Sequence, residues 1–129
     1  MAGELATKLL IKPDTRVLLL NAPIGYAKKL APLPDGVVVT DKRGKADVVV
    51  AFARDSTELK RLSTSFGALE EDAILWVCFP NGGTKAGTDL DRDILHAAME
   101  KHELIGATLV AFDDVWSAMR FRAPEDVGS

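Results

Sequence analysis

The sequence predicts one α/β domain, a mostly parallel sheet that ends in a C-terminal antiparallel β-hairpin. Residues 17–20, 47–52 and 73–79 are apolar at almost every position, which suits strands buried on both faces. Segments with a helical pattern alternate with these runs, which favours parallel strands joined by right-handed crossovers. Only Asp113 and Asp114 separate the last two predicted strands, and such a short connection predicts a hairpin.

Length and charge limit the classes of protein to which the chain can belong. With 129 residues, the sequence predicts one domain over residues 1–122 and a flexible tail over residues 123–129. The net charge is −3, and no run of Lys or Arg is longer than two residues. Because nucleic-acid-binding surfaces need clustered positive charge, we expect no nucleic-acid partner.

The cysteine content and the hydropathy pattern bear on the cellular compartment. The single cysteine, Cys78, cannot form an internal disulfide, which fits a reducing cytoplasm. No apolar run approaches the ~20 residues that span a bilayer, and the amino terminus lacks the pattern of a signal peptide. We therefore expect a cytoplasmic protein without a membrane partner.

The amino-terminal half predicts a helix, three strands and a short helical turn. Leucines spaced four and five residues apart predict an amphipathic helix over residues 3–11, which Pro13 ends. The predicted strands cover residues 17–20, 37–39 and 47–52, and one or two helical turns fit residues 26–30.

The carboxyl-terminal half predicts two helices and three strands. Ser56 or Thr57 is expected to cap a helix that runs to about Leu69. Thr88, with an acid three residues later, is expected to cap a helix that runs to about Lys101. The predicted strands cover residues 73–79, 108–112 and 115–121.

Polar residues follow the first two predicted strands, where open α/β sheets bind their ligands. Asn21, Gly25 and Tyr26 follow the first strand, and Asp41 follows the second. Asn21 and Tyr26 could hydrogen-bond a ligand, and Asp41 could accept hydrogen bonds from ribose hydroxyls. Each also has a structural interpretation, because Asn favours turns, Tyr can cover a sheet edge, and Asp is common before a glycine-containing turn.

The loop over residues 80–88 is the second candidate for ligand binding. Gly82 and Gly87 have the G-x-x-x-x-G spacing of a phosphate loop, but Thr88 and Asp89 replace the residues that such a loop requires. Asn81, Gly82 and Lys85, ahead of a helix start, could still hold an anion. The alternative is a flexible connection without a ligand.

Three further features favour structural roles. Asp113 and Asp114 are expected to be solvated turn residues that point apart, rather than an acid–base pair. His96 and His102 are six residues apart, and no other ligand completes a metal site. Cys78 lies inside an apolar strand, where an inert thiol is expected. We therefore expect neither a metal site nor an assignable catalytic residue.

Three stretches carry a resemblance to a known fold. VLLLNAPIGY ends the first strand in a turn, Asp41 ends the second strand, and LEEDAILWVCFP leads into the fourth. With the terminal hairpin, they resemble the class I methyltransferase fold, a Rossmann-like topology. The resemblance implies that Asp41 holds the ribose hydroxyls of S-adenosylmethionine. The chain has only Gly25 where the family has several glycines, carries Pro23 there, and lacks one strand–helix unit, so a reduced topology is implied.

A second resemblance covers nearly the whole chain. The segments KLLIKPDTRVLLLNAPIGY, LWVCFP, TDLDRDIL and DDVWSAMRFR resemble a family of short bacterial proteins of unknown function. That family has no assigned activity to transfer, so the resemblance supports the fold alone.

Three functional hypotheses follow from the sequence. The first is a binding module for a small anionic or nucleotide-like ligand at the carboxyl ends of strands one and four. The second is a diminished S-adenosylmethionine-dependent methyltransferase. The third is a homodimer through the strand at residues 115–122, where Trp116, Arg120 and Arg122 share one face, because Trp and Arg are enriched in interfaces. The alternative for this face is a helix that covers Trp116 while both Arg side chains reach solvent.

Overall fold

The sheet has six strands in the order β2-β1-β3-β4-β6-β5. The computed structural model describes residues 3–42, 44–64, 66, 73–81 and 87–122. The elements, in chain order, are α1 (Glu4–Lys8), β1 (Arg16–Leu20), a 3-10 helix (Tyr26–Leu30), β2 (Val38–Thr40), β3 (Val48–Phe52), α2 (Ser56–Ser63), β4 (Ile74–Pro80), α3 (Arg92–Glu100), β5 (Ile105–Ala111) and β6 (Trp116–Arg122).

The strand directions confirm the predicted fold class. β1 pairs in parallel with β2 and β3, and β3 pairs in parallel with β4. β6 pairs antiparallel with both β4 and β5. The chain is therefore a single α/β domain with a mostly parallel sheet and a C-terminal antiparallel hairpin.

The central strands are buried on both faces, and successive side chains enter different cores. All five residues of β3 are buried. Val49 packs in the core that includes residues of α2 and α3. Val48 and Val50 pack in the opposite core, with residues of α1 and the 3-10 helix. Because side chains alternate across a strand, the uninterrupted apolar run is the expected sequence for a sheet covered on both faces.

The helix starts differ from the predicted ones. Asp55, rather than Ser56 or Thr57, caps α2, and its carboxylate accepts a hydrogen bond from the backbone N–H of Glu58 at 2.9 Å. Asp91 caps α3 in the same way, through the N–H of Ile94 at 2.8 Å. In each helix, the aspartate carboxylate satisfies one of the free N–H groups of the first turn.

The ends and lengths of the helices also differ in part from the prediction. Thr88, expected to cap α3, instead accepts a hydrogen bond from the N–H of Leu90. α1 covers five residues, Glu4–Lys8, rather than residues 3–11. α3 ends at Glu100, one residue before the predicted end. The predicted end of α2 at Leu69 lies outside the described residues, as does the predicted tail at residues 123–129.

The hairpin differs from the prediction in its turn and its position. Residues 112–115 connect the two strands, so the predicted two-residue connection is wrong. The backbone N–H groups of Val115 and Trp116 both donate to the Asp113 carboxylate at 2.8 Å, which shapes this longer turn. β6 is paired on both sides, so the edge of the sheet belongs to β5. Among the described residues, β6 therefore has no free edge for backbone pairing with a second copy, and a homodimer through the face of residues 115–122 stays a prediction.

No helix in the part of the chain that the structure describes has the length and apolar character needed to cross a membrane.

Candidate functional site

The carboxyl ends of β1, β2, β3 and β4 lie at one edge of the sheet because these strands are parallel. Asn21 directly follows β1, Asp41 follows β2 and Asn81 follows β4. The predicted placement of these three residues at one edge is thus confirmed.

A cavity of about 510 Å³ lies at the carboxyl ends of β1 and β2, and we call it the strand-end cavity. Four of the predicted site residues line it, namely Asn21, Gly25, Tyr26 and Asp41. Its other lining residues are Leu19, Ala22, Pro23, Ala27, Val39 and Thr40.

Asn21 has a structural role at the mouth of this cavity. Its side-chain Nδ2 donates to the carbonyl oxygen of Phe52 at 2.8 Å and to Oε1 of Glu58 at 2.9 Å. These bonds use both hydrogens of the amide, so only Oδ1 remains to contact a ligand. The backbone of Asn21 has a φ of 59°, a left-handed conformation that Asn tolerates better than most residues. The backbone conformation fits the turn-forming interpretation of Asn21, and its side-chain amide fastens this turn to the end of β3 and to α2.

Gly25 begins the 3-10 helix in a left-handed conformation, with φ 84° and ψ 0°. A Cβ atom added at Gly25 would meet no heavy atom within 4 Å. The glycine is therefore needed for its backbone conformation and not for close packing. The open space beside it leaves room for a ligand to approach the backbone.

The Tyr26 ring forms a wall of the cavity and is held by other aromatic rings. It packs in a T-shaped arrangement against Phe52, with centroids 5.6 Å apart, and stacks with Phe112 at 5.9 Å. Phe52 in turn packs against Trp116 at 5.1 Å. This packing places Trp116 in the core, which favours the alternative in which Trp116 is covered over the one in which it forms an interface.

Electrostatics in the strand-end cavity favour hydroxyl donors over anions. Asp41 contributes an exposed carboxylate, which can only accept hydrogen bonds when ionised. Among the described residues that line the cavity, none is Lys or Arg. A phosphate would therefore meet a like charge without a neutralising cation, whereas a sugar diol would find an acceptor.

Asn81 lines a different cavity, of about 350 Å³, between the end of β4 and the start of α3. Its backbone N–H donates to the Val115 carbonyl at 2.7 Å, and its Nδ2 donates to the Asp114 carbonyl at 3.3 Å. The hydroxyl of Ser117 donates to its Oδ1. Asn81 thus fastens β4 to the hairpin turn. Gly82 and Lys85 lie outside the described residues, so the anion loop stays a prediction.

The ion pair of Lys29 and Asp113 is a feature that the sequence analysis missed. Nζ of Lys29 lies 2.7 Å from Oδ2 of Asp113 and 4.3 Å from the centre of the Tyr26 ring. The Asp113 side chain is only 18% exposed, so the expectation of a solvated residue is wrong. The two residues are 84 positions apart, and no local pattern could have revealed the pair.

The pair shifts both pKa values. The hydrogen bond to Asp113 raises the pKa of Lys29. Burial alone would raise the pKa of the Asp113 carboxyl, but hydrogen bonds from Lys29 and from the backbone of Trp116 and Val115 outweigh burial and lower the pKa. Each partner is therefore stabilised in its charged form.

The surroundings of the other potentially reactive side chains indicate structural roles. Cys78 is fully buried, and burial raises the pKa of its thiol well above the ordinary value, so a thiolate is disfavoured. The ring of His96 packs in a T-shaped arrangement with the ring of Phe121. Among the residues that the structure describes, no three His, Cys, Asp or Glu side chains are grouped so that they could hold a metal ion.

The fold is similar to that of solved methyltransferases. The tRNA m1A22 methyltransferase TrmK of B. subtilis matches with a TM-score of 0.57 and 11% identity, over 95% of this chain and 66% of TrmK. The ribosomal protein L11 methylase of Lactobacillus delbrueckii subsp. bulgaricus matches with a TM-score of 0.60 and 13% identity, over 92% of this chain and 74% of the methylase. LepI in complex with SAH and a substrate analogue matches with a TM-score of 0.54 and 15% identity, over 92% of this chain and 39% of LepI.

These similarities establish a methyltransferase-like Rossmann fold and, at such low identities, nothing beyond the fold. The chain spans slightly less than two thirds of the length of TrmK. No protein-family model and no curated protein matches the chain. The resemblance to a family of short bacterial proteins therefore stays a prediction.

Proposed function

We propose that this protein binds a nucleoside-like ligand in the strand-end cavity and that binding, rather than catalysis, is its primary activity. The observation that carries the proposal is the position of Gly25 and Asp41 in one cavity, at the ends of the adjacent strands β1 and β2. In open α/β sheets, ligands bind in crevices at the carboxyl ends of the strands.

The size and chemistry of the cavity support a ligand with a ribose ring. A volume of about 510 Å³ falls within the range of roughly 300–1,000 Å³ that is usual for small-molecule sites. The Asp41 carboxylate can accept hydrogen bonds from two vicinal hydroxyls. Leu19, Val39 and the Tyr26 ring supply apolar surface for a base or for the sugar face. A nucleoside therefore fits better than a free phosphate.

S-adenosylmethionine and its demethylated product are specific candidates for this ligand. One of the structurally similar proteins, LepI, is known in complexes with SAM and with SAH. In this chain, Asp41 would hold the ribose and the open backbone at Gly25 would adjoin the rest of the ligand. The cofactor, when bound, would supply an electrophilic methyl group.

A diminished methyltransferase is the second candidate function, and the shared fold supports it. Two features of the loop that follows β1 argue for reduced methyltransferase activity. Pro23 lacks the N–H that could contact a cofactor, and Asn21 uses both amide hydrogens within the protein.

Calorimetric titration with a small panel of ligands tests the proposal. We expect SAH and adenosine to bind, 2′-deoxyadenosine to bind at least tenfold more weakly, and inorganic phosphate not to bind. Because one hydroxyl of the diol is missing in 2′-deoxyadenosine, the loss reports the contact with Asp41. Binding of phosphate without binding of any nucleoside would contradict the proposal and favour an anion site.

Matched variants locate the ligand. Asp41→Asn should weaken adenosine binding about tenfold or more, since hydrogen bonds to a charged group contribute about 1.5–3 kcal/mol. Asp93→Asn, which neutralises an exposed carboxylate outside the strand-end cavity, should bind adenosine like the unmodified protein. Equal weakening by both substitutions would place the ligand elsewhere.

Methyl transfer is tested separately with SAM that carries a labelled methyl group. A binding module adds no label to macromolecules beyond what the cell extract transfers by itself. Label in a macromolecule that depends on Asp41 would favour the diminished methyltransferase.

A further inference from the structure

β5 forms one edge of the sheet along its whole length. Among the residues that the structure describes, Ile105–Ala111 pairs with β6 on one side and with no strand on the other. An edge strand presents unpaired N–H and C=O groups, which can pair with another strand. β2, at the opposite edge, has only three residues, so β5 offers the longer edge.

The sequence of β5 lacks the side chains that usually protect an edge. Its seven residues, IGATLVA, include no charged residue and no proline. Ile105 and Leu109 are 37% and 47% exposed. One irregularity in the pairing with β6, between Gly106 and Thr108, is the single protective feature in this strand. Natural edges of this length normally carry Lys, Pro or a covering element.

The strand is complementary to itself in the size of its side chains. An antiparallel copy centred on Thr108 would place Ile105 opposite Ala111. The same register would place Gly106 opposite Val110 and Ala107 opposite Leu109. Every large side chain then faces a small one, and no like charges meet along the strand. A two-fold axis needs this kind of self-complementary surface.

We infer that two copies of this chain associate through β5, antiparallel and centred near Thr108, to form one continuous sheet of twelve strands. The strand that pairs with this edge is β5 of a second copy, because large side chains lie opposite small ones when the strand is aligned antiparallel with itself. The association lies on the hairpin side of the sheet, and the strand-end cavity at β1 and β2 remains open. The dimer is thus independent of ligand binding.

Sedimentation velocity of the unmodified chain tests the association. At about 50 μM, roughly fifty times a dissociation constant of ~1 μM, we expect a dimer. Leu109→Lys should raise the dissociation constant at least tenfold, because a lysine on an edge strand opposes pairing. Val38→Lys, at an exposed position of the opposite edge, should leave the dimer unchanged. Far-ultraviolet circular dichroism of both variants controls for folding.

Cross-linking tests the register. Under mild oxidation, Thr108→Cys should form an intermolecular disulfide, since the two introduced thiols would face each other across the two-fold axis. Val115→Cys, at an exposed position of the hairpin turn, should not. The native Cys78 is fully buried and does not interfere.

Three outcomes would overturn the inference. The first is a monomer at 50 μM for the unmodified chain. The second is a dimer that Val38→Lys disrupts and Leu109→Lys does not, which would place the contact at β2. The third is equal cross-linking by Thr108→Cys and Val115→Cys, which would mean random collision.

Discussion

Nζ of Lys29, in the 3-10 helix, lies 2.7 Å from Oδ2 of Asp113, in the turn between β5 and β6. The pair joins the segment that follows β1 to the far end of the chain. Tyr26 lies beside Lys29 and forms part of the strand-end cavity. Because of these contacts, the position of one cavity wall depends on the hairpin turn.

Substitutions of Asp113 separate its two roles. Asp113→Ala removes the contact with Lys29 and the acceptor for the N–H groups of Val115 and Trp116, and should lower the free energy of unfolding by about 1–3 kcal/mol. Asp113→Asn keeps an acceptor in the turn and should cost less. Urea unfolding measures both values. Equal losses would show that the turn hydrogen bonds contribute little.

The pH dependence of stability should also report Asp113. The pKa of this carboxyl is lowered in the folded state, so its contribution is fully present above the unfolded value of about 3.9 and is lost as the pH falls through the lower folded value. The difference in stability between the unmodified protein and Asp113→Asn should therefore be constant from about pH 5 to 8 and shrink below about pH 4. A difference that grew on acidification would contradict the assigned direction.

Asn21 provides a test of local backbone conformation. Asn21→Ala loses two hydrogen bonds and places alanine at a φ of 59°, so we expect a loss of about 2–3 kcal/mol. Asn21→Gly loses the same bonds but tolerates the conformation, and should cost about 1 kcal/mol less. Thermal and urea unfolding give the comparison. If glycine were no better than alanine, backbone strain would not contribute at this position.

The strands were the most predictable part of the fold. β3 was predicted to within one residue because a β-branched apolar run has few alternatives to a strand buried on both faces. The helix starts were less predictable because Asp55, Ser56 and Thr57 are consecutive and can all cap a helix. Which of them does so depends on where the chain leaves β3, and the sequence pattern does not contain that information.

The candidate site was predictable only as far as strand order could be inferred. Asn21, Gly25, Tyr26 and Asp41 line one cavity because β1 and β2 are adjacent. Asn81 is separated from them because β3 lies between β1 and β4, and the hairpin turn takes up the hydrogen bonds of Asn81. The pairing of β6 with β4 spans a long sequence separation, which local patterns do not report.

Val49 tests the architecture of the central sheet. Val49→Asp places a carboxylate where the side chain is fully buried, and an unpaired buried charge costs several kcal/mol or shifts its pKa strongly. We expect the variant to be unfolded at neutral pH. Val38→Asp, at a position that is 58% exposed on the edge strand β2, should remain folded. A soluble Val49→Asp protein with an unchanged melting temperature would refute the sheet arrangement.

Gly106 and His96 test the packing between β5 and α3. A Cβ atom added at Gly106 would overlap Cε1 of His96 and lie 2.8 Å from Sδ of Met119. Gly106→Ala should therefore destabilise the protein by about 1–3 kcal/mol, as overpacking usually does. In a His96→Ala background, which removes the ring, the same change should cost at least about 1 kcal/mol less. Additive losses in the double variant, measured by urea unfolding, would show that the two residues do not compete for this space.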